Sequence, residues 1–73
     1  MSNLKQTNII KGETNMAVFI ANSIMNRKKS QGLTVAQNLY RAYFINTTMY
    51  AAFKSDVDMI LTAEGCADCI VAA

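Results

Sequence analysis

Two cysteines stand two residues apart near the end of the chain, in the run Cys66-Ala-Asp-Cys69. Thiolates at that spacing aim both sulfurs at one metal, and the pattern is half of a common zinc site. The 73 residues hold no histidine and no third cysteine, so the other half is missing. A closed site would need Cys66 and Cys69 from two chains, or a carboxylate such as Asp68. As a redox pair the motif ordinarily opens a helix, whose positive end lowers a thiol pKa. Here it follows Gly65, which reads as a helix stop. Plain packing is the simpler reading: cysteine behaves as a small buried hydrophobe, and the residue after such a glycine packs back onto the last turn, here onto Leu61. A cysteine-linked metal or redox-sensitive dimer is kept as an alternative.

Other reactive constellations are thinner. Without histidine, a Ser, Thr or Cys nucleophile lacks its usual base. Asp56 and Asp58 are two apart, so on a helix they diverge by about 200° and cannot share a proton or a metal. The three glycines stand singly at 12, 32 and 65, which leaves no phosphate-cradling loop. The expectation is a protein with no catalytic residue and no cofactor, not an enzyme.

Charge is the next resource, and it is divided along the chain. Residues 1–54 carry all seven Lys and Arg against a single acid, Glu13, while residues 55–73 carry four acids and no base. Arg27, Lys28 and Lys29, with Arg41, form a candidate anionic-partner surface, and a nucleic-acid-associated protein is the first alternative function. The signal is weak, because a helix C-terminus alone favours such a cluster. A helix-turn-helix built from 34–45 and 48–64 would offer a groove Tyr50, Lys54, Ser55, Asp58 and Thr62, of which one is basic. The basic corner and the acidic end around Asp58 suit reciprocal association of two copies equally well.

These groups need elements to hold them. With 52% hydrophobic and 16% charged residues the chain should fold, and at this length as one domain. Its longest apolar run, Met16 to Ala21, is too short to span a bilayer, and no leader pattern precedes it, so the expected location is cytoplasmic. Residues 1–14 read as an arm pinned through Leu4, Ile9 and Ile10. A helix capped by Thr14 or Asn15 should follow, burying Ala17, Val18, Ile20, Ala21, Ile24 and Met25 and leaving Phe19 among asparagines on the outer face. Arg27, Lys28, Lys29 and Gly32 mark its end. Thr34 and Gln37 form a capping box for a second helix that buries Val35, Ala36, Leu39, Ala42 and Tyr43. Thr47 and Thr48 turn the chain. Beyond them an apolar face runs through Met49, Phe53, Val57 and Ile60, bent at Lys54 or Ser55, with Ser55 and Asp58 as a second cap. Gly65 stops it, and the apolar tail around Cys69, Ile70 and Val71 folds back or adds to a partner.

The expected architecture is all-α: a compact orthogonal packing of three to four short helices, about 15–29, 34–45, 48–54 and 56–64, in a domain of residues 15–73. So small a core supplies only roughly 3–5 kcal/mol, and natural proteins of this size often add a partner. The leading functional expectation is a non-catalytic interaction module, either a homodimer or an accessory or inhibitor protein docked on a larger protein. Phe19, Tyr40, Phe44, Ile70 and Val71 are its apolar contact candidates, beside the charges above.

Overall fold

The computed structural model describes residues 11–72, with side chains from Asn15 onward. Three helices, α1 (Lys11–Gln31), α2 (Leu33–Phe44) and α3 (Lys54–Ala63), are joined by short turns; a 3₁₀ turn, Ala51–Phe53, leads into α3 and a second, Ala67–Cys69, follows it in the tail. Among the described residues there is no strand, so the all-helical expectation holds. α1 takes in residues 11–14, which had been assigned to the arm. The anchor residues Leu4, Ile9 and Ile10 and the side chain of Thr14 lie outside the described residues.

α1 packs against both other helices, and the Ala67–Cys69 turn rests against all three. Its buried stripe is Ala17, Ile20, Ala21 and Ile24, at most 1% exposed. That is the i, i+3, i+4, i+7 pattern of a helix laid on a core. Burying each isoleucine contributes about 1.5–3 kcal/mol. The stripe is narrower than the sequence suggests: Val18 is 40% exposed and Met25 only partly covered.

Gly32 makes the corner between α1 and α2 alone. Its N–H donates to the Lys28 carbonyl at 3.0 Å, closing α1, and its own carbonyl accepts from Ala36 N–H at 3.2 Å, opening α2. Its φ of +101° is a left-handed value that favours glycine. This explains why the expected capping box is not used. Thr34 is already the second residue of α2, whose cap is Gly32 with no side-chain bond, and Gln37 is engaged elsewhere. The inward face of α2 is also turned from its expected position. Ala36 and Tyr40 are the buried pair, Leu39 and Tyr43 are partly covered, and Ala42 is exposed.

The expected helix over 48–54 does not form. The Ile45 and Asn46 amides both donate to the Arg41 carbonyl, tightening the end of α2. The Thr47 hydroxyl then accepts from the Met49 amide at 3.2 Å, the local side-chain bond that turns a chain away from helix. Only Ala51–Phe53 is helical here, as one 3₁₀ turn, and Met49, placed on the core face by its spacing, is 74% exposed. A relay of rings holds this irregular stretch in place. Tyr40 meets Phe44 at 4.9 Å, Phe44 meets Tyr43 at 5.9 Å, Tyr43 meets Tyr50 edge-on at 5.1 Å, and Tyr50 meets Phe53 at 6.5 Å. These are the offset and edge geometries that aromatic quadrupoles prefer.

α3 begins at Lys54, at the expected bend and two residues before the expected start at 56. Phe53 is its cap, Ser55 lies inside its first turn, and Asp56 supplies the first-turn acid. The stop is as expected. Gly65, at φ +77°, donates to the Thr62 carbonyl at 3.1 Å, and the Cys66 amide reaches back to the Leu61 carbonyl at 2.7 Å. This pair of bonds is the Schellman closure, which satisfies two carbonyls that a helix end would otherwise leave open. Cys66 then packs on the core and Cys69 enters it, fully buried, with Ile70 and Val71 partly covered behind it. The tail completes the core of its own chain.

Candidate interaction surface

The cysteine pair is held by that closure. Cys66 is half-buried and Cys69 wholly so, and both are free thiols. Burial pushes the Cys69 thiol above its ordinary pKa, helped by the negative charge of Asp68. Among the described residues no three potential ligands gather where a metal could be held. A site shared between two chains would have to pull Cys69 out of the core. Cys66 instead lines a mixed cleft of about 510 Å³ between α1 and the end of α3, with Asn22, Met25, Asn26, Lys28, Lys29 and Glu64.

The tail is clamped at Asp68, a residue the sequence offered only as a metal ligand. Lys28 Nζ donates to both carboxylate oxygens at 3.1 Å, and Gln37 Nε2 donates to the Asp68 carbonyl at 2.9 Å. One residue therefore ties the tail to the end of α1 and to the first turns of α2. The bond to Asp68 holds the Lys28 ammonium above its usual pKa. The basic corner is thus divided: Lys28 is committed within the chain, while Arg27 and Lys29 remain exposed. Arg41 is exposed on α2, its guanidinium donating to Asn38 Oδ1 at 2.9 Å.

Tyr40 and Asp58, both candidates for an interaction surface, are joined to each other instead. The Tyr40 hydroxyl donates to Asp58 Oδ1 at 2.6 Å, and Lys54 Nζ donates to Asp58 Oδ2 at 2.9 Å from one turn earlier on α3. Lys54 also lies 5.9 Å from the Tyr40 ring centroid. Tyr40 is 0% exposed, so it is a core residue and not an outward contact. Its ring belongs inside, and Asp58 lets the hydroxyl follow without losing a partner. Burial raises the Tyr40 pKa and the bond to Asp58 adds to this, while the same carboxylate raises that of Lys54. Asp58 is accordingly not a capping residue. Phe44 lies half-buried against Tyr40, and Ile70 and Val71 are packed on the core. Of the apolar candidates, only Phe19 faces solvent.

Phe19 is 62% exposed, and Met16, three residues earlier, is 37% exposed. With Ser23 one turn beyond they make a ridge along the outer flank of α1. The Ser23 hydroxyl donates to the Phe19 carbonyl at 2.9 Å. Met59, also 62% exposed, stands at an open groove between α1 and α3 of about 350 Å³, lined by Ala17, Asp56, Met59, Ile60 and Ala63. Sequence reasoning passed over Met16 and Met59. Their signal was an apolar residue outside the buried stripe of its helix, the same signal that marked Phe19.

No protein-family model matches the chain, and neither does any curated protein or solved structure with which it was compared. Among the described residues no helix is long and apolar enough to cross a membrane.

Proposed function

We propose that the protein is a small non-catalytic interaction module that self-associates through the Met16–Phe19 flank of α1. The observation that carries this reading is Phe19. A phenylalanine at 62% exposure, in the middle of a helix whose opposite face is fully buried, leaves a large apolar surface with no structural use among the described residues. A second copy can cover it by an isologous contact, ridge against ridge, as two-fold dimers do. The same flank suits docking onto a larger protein, the role of an accessory or inhibitor chain. The internal ion pairs of Lys28 and Lys54 weaken the nucleic-acid alternative, because they reduce the cations available to phosphates.

Light scattering on the purified chain, from low to high micromolar concentration, tests the proposal. The expected result is twice the chain mass at the upper end, and a monomer for Phe19→Asp with unchanged far-UV circular dichroism. Dimerisation through apolar surface should persist at high salt, whereas pairing of the basic corner with the acidic end would be lost. A wild type that stays monomeric throughout removes self-association.

A further inference from the structure

We propose that Cys66 and Cys69 form a thiol–disulfide exchange site, at which a small anionic disulfide oxidises the pair to an internal bridge that latches the tail. They are the two cysteines of the sequence, and both are free thiols. The turn between them sets their separation. The Cys69 amide donates to the Cys66 carbonyl at 3.0 Å, and the Ile70 amide to the Ala67 carbonyl at 3.0 Å. A turn closed in this way keeps its end Cα atoms within about 7 Å, and a disulfide spans Cα separations of about 4.4–6.8 Å. Both side chains also pack on one core cluster, Cys69 inside it and Cys66 at its edge. The Cys66 thiol donates to the Glu64 carbonyl at 3.8 Å, a weak bond that rotation of the side chain toward Cys69 gives up.

Exposure gives the two thiols different parts. Cys66 is half-buried and lines the cleft between α1 and the end of α3, where a reagent can reach it, whereas Cys69 is 0% exposed. Only an adduct on Cys66 brings an electrophilic sulfur to Cys69. The cleft also selects the reagent. Lys28 and Lys29 line it against one acid, Glu64, which favours a disulfide that carries carboxylates. Lys28 is shared with Asp68, so Lys29 supplies most of this attraction. One equivalent of disulfide balances the reaction. Cys66 gives its proton to solvent, and its thiolate attacks one sulfur of the reagent and expels the other as a first thiol. Cys69, deprotonated in turn, attacks Cys66 Sγ and expels the second. Two protein thiols lose two electrons, and the reagent is reduced to two thiols. Burial holds the Cys69 pKa up, so the second step is the slower one. The bridge closes the turn that carries Asp68, whose carboxylate and carbonyl are bound by α1 and α2, and so fixes the tail in its register.

Oxidised glutathione, a small disulfide bearing carboxylates, is the probe, added to the reduced full chain at neutral pH. Samples are quenched by alkylation and read by mass spectrometry. The wild type should first gain one glutathione at Cys66, then lose it as a chain lighter by two hydrogens appears, with the bridge mapped to the peptide that holds both cysteines. This time course needs no variant. A lasting adduct with Cys69 still free, no modification at all, or a disulfide between chains overturns the proposal. Cys69→Ala should stop at the Cys66 adduct, and Cys66→Ala should react at least about tenfold more slowly than wild type; equal rates contradict the assigned order. Lys29→Glu should slow the first step several-fold with oxidised glutathione and leave the rate with the neutral bis(2-hydroxyethyl) disulfide unchanged, and equal effects on both refute the selection of an anionic reagent. The bridged chain should melt a few degrees above the reduced one. A lower melting temperature overturns the latch, because Cys69 would have left the core to make the bond. None of these readouts involves Phe19, whose role is tested by the mass of the associated species.

Discussion

Tyr40→Phe isolates the one buried hydroxyl around which α2 and α3 are joined. The substitution keeps the ring, its contact with Phe44 and the core volume, and removes only the donor to Asp58. A hydrogen bond to a charged group contributes about 1.5–3 kcal/mol net. The Asp58 side chain is 26% exposed and keeps its bond to Lys54, so water can reach the oxygen that the hydroxyl leaves. The lower end applies, about 1.5 kcal/mol. For a domain of this size that corresponds to a fall in Tm of roughly 6–12 °C, against a total stability of about 4–11 kcal/mol. Lys54→Met is the control, since it removes a pair that is partly solvated on the surface of one helix. It should cost less than about 1 kcal/mol. Urea unfolding followed by circular dichroism at neutral pH measures both, and a cycle with Asp58→Ala gives the coupling. An unchanged midpoint for Tyr40→Phe, or a larger loss for Lys54→Met, would show that the phenol does not join the two helices as described.

Raising the pH should weaken the same junction. The folded chain holds the Tyr40 and Lys54 protons more tightly than the unfolded one, so the junction's contribution to stability is complete below about pH 10 and declines as pH climbs through the folded values. Urea midpoints should therefore fall across that window, and less steeply in Tyr40→Phe. Gly65→Ala should cost about 1–2 kcal/mol, all of it torsional, because a Cβ there meets no atom within 4 Å; a thermal melt indistinguishable from wild type would contradict the left-handed closure. With a thiol reagent near pH 8, Cys66 should label quickly and Cys69 only after denaturant is added, given their burial and the raised Cys69 pKa. Two equally fast thiols would mean that the tail does not pack as seen.

Three helices and the glycine stops of α1 and α3 were readable from the chain, whereas the starts, and the absence of a helix over 48–54, were not. The stops rest on glycines at 32 and 65, where one residue type meets a backbone demand that few others can. The starts offered side-chain caps, Thr34 and Ser55, and the fold used neither. Gly32 serves two helices at once and leaves no residue to spare for Thr34. Phe53 ends the 3₁₀ turn directly where α3 begins, which carries Ser55 inside the helix. Local preference worth about 1 kcal/mol yields when tertiary packing fixes where the chain must bend. The interaction candidates divided in the same way. Phe19 stood out because it broke the periodicity of α1, a local property. Tyr40 and Asp58 could be sorted only by knowing that positions eighteen residues apart meet.

The divided charge of the chain takes on a different meaning once the contacts are known. Basic and acidic halves suggested two copies meeting end to end, yet Lys28 of the basic corner reaches Asp68 of the acidic tail forty residues on. Part of the complementarity is used in closing one chain on itself, while Arg27 and Lys29 remain exposed. The Lys28–Asp68 pair is too exposed, at 32% and 49%, to hold the tail by strength alone. Cys69 in the core supplies the affinity, and Asp68, bound at both its carboxylate and its carbonyl, sets the register in which Cys69 enters. Within the described residues, Cys69, Lys28 and Asp68 are thus all engaged inside one chain. The exposed apolar surface that our proposal assigns to a partner is on the outer flank of α1. Under that proposal, selectivity would come from the shape of a helix ridge carrying Met16 and Phe19 and from the Asn22 and Asn26 side chains exposed near it.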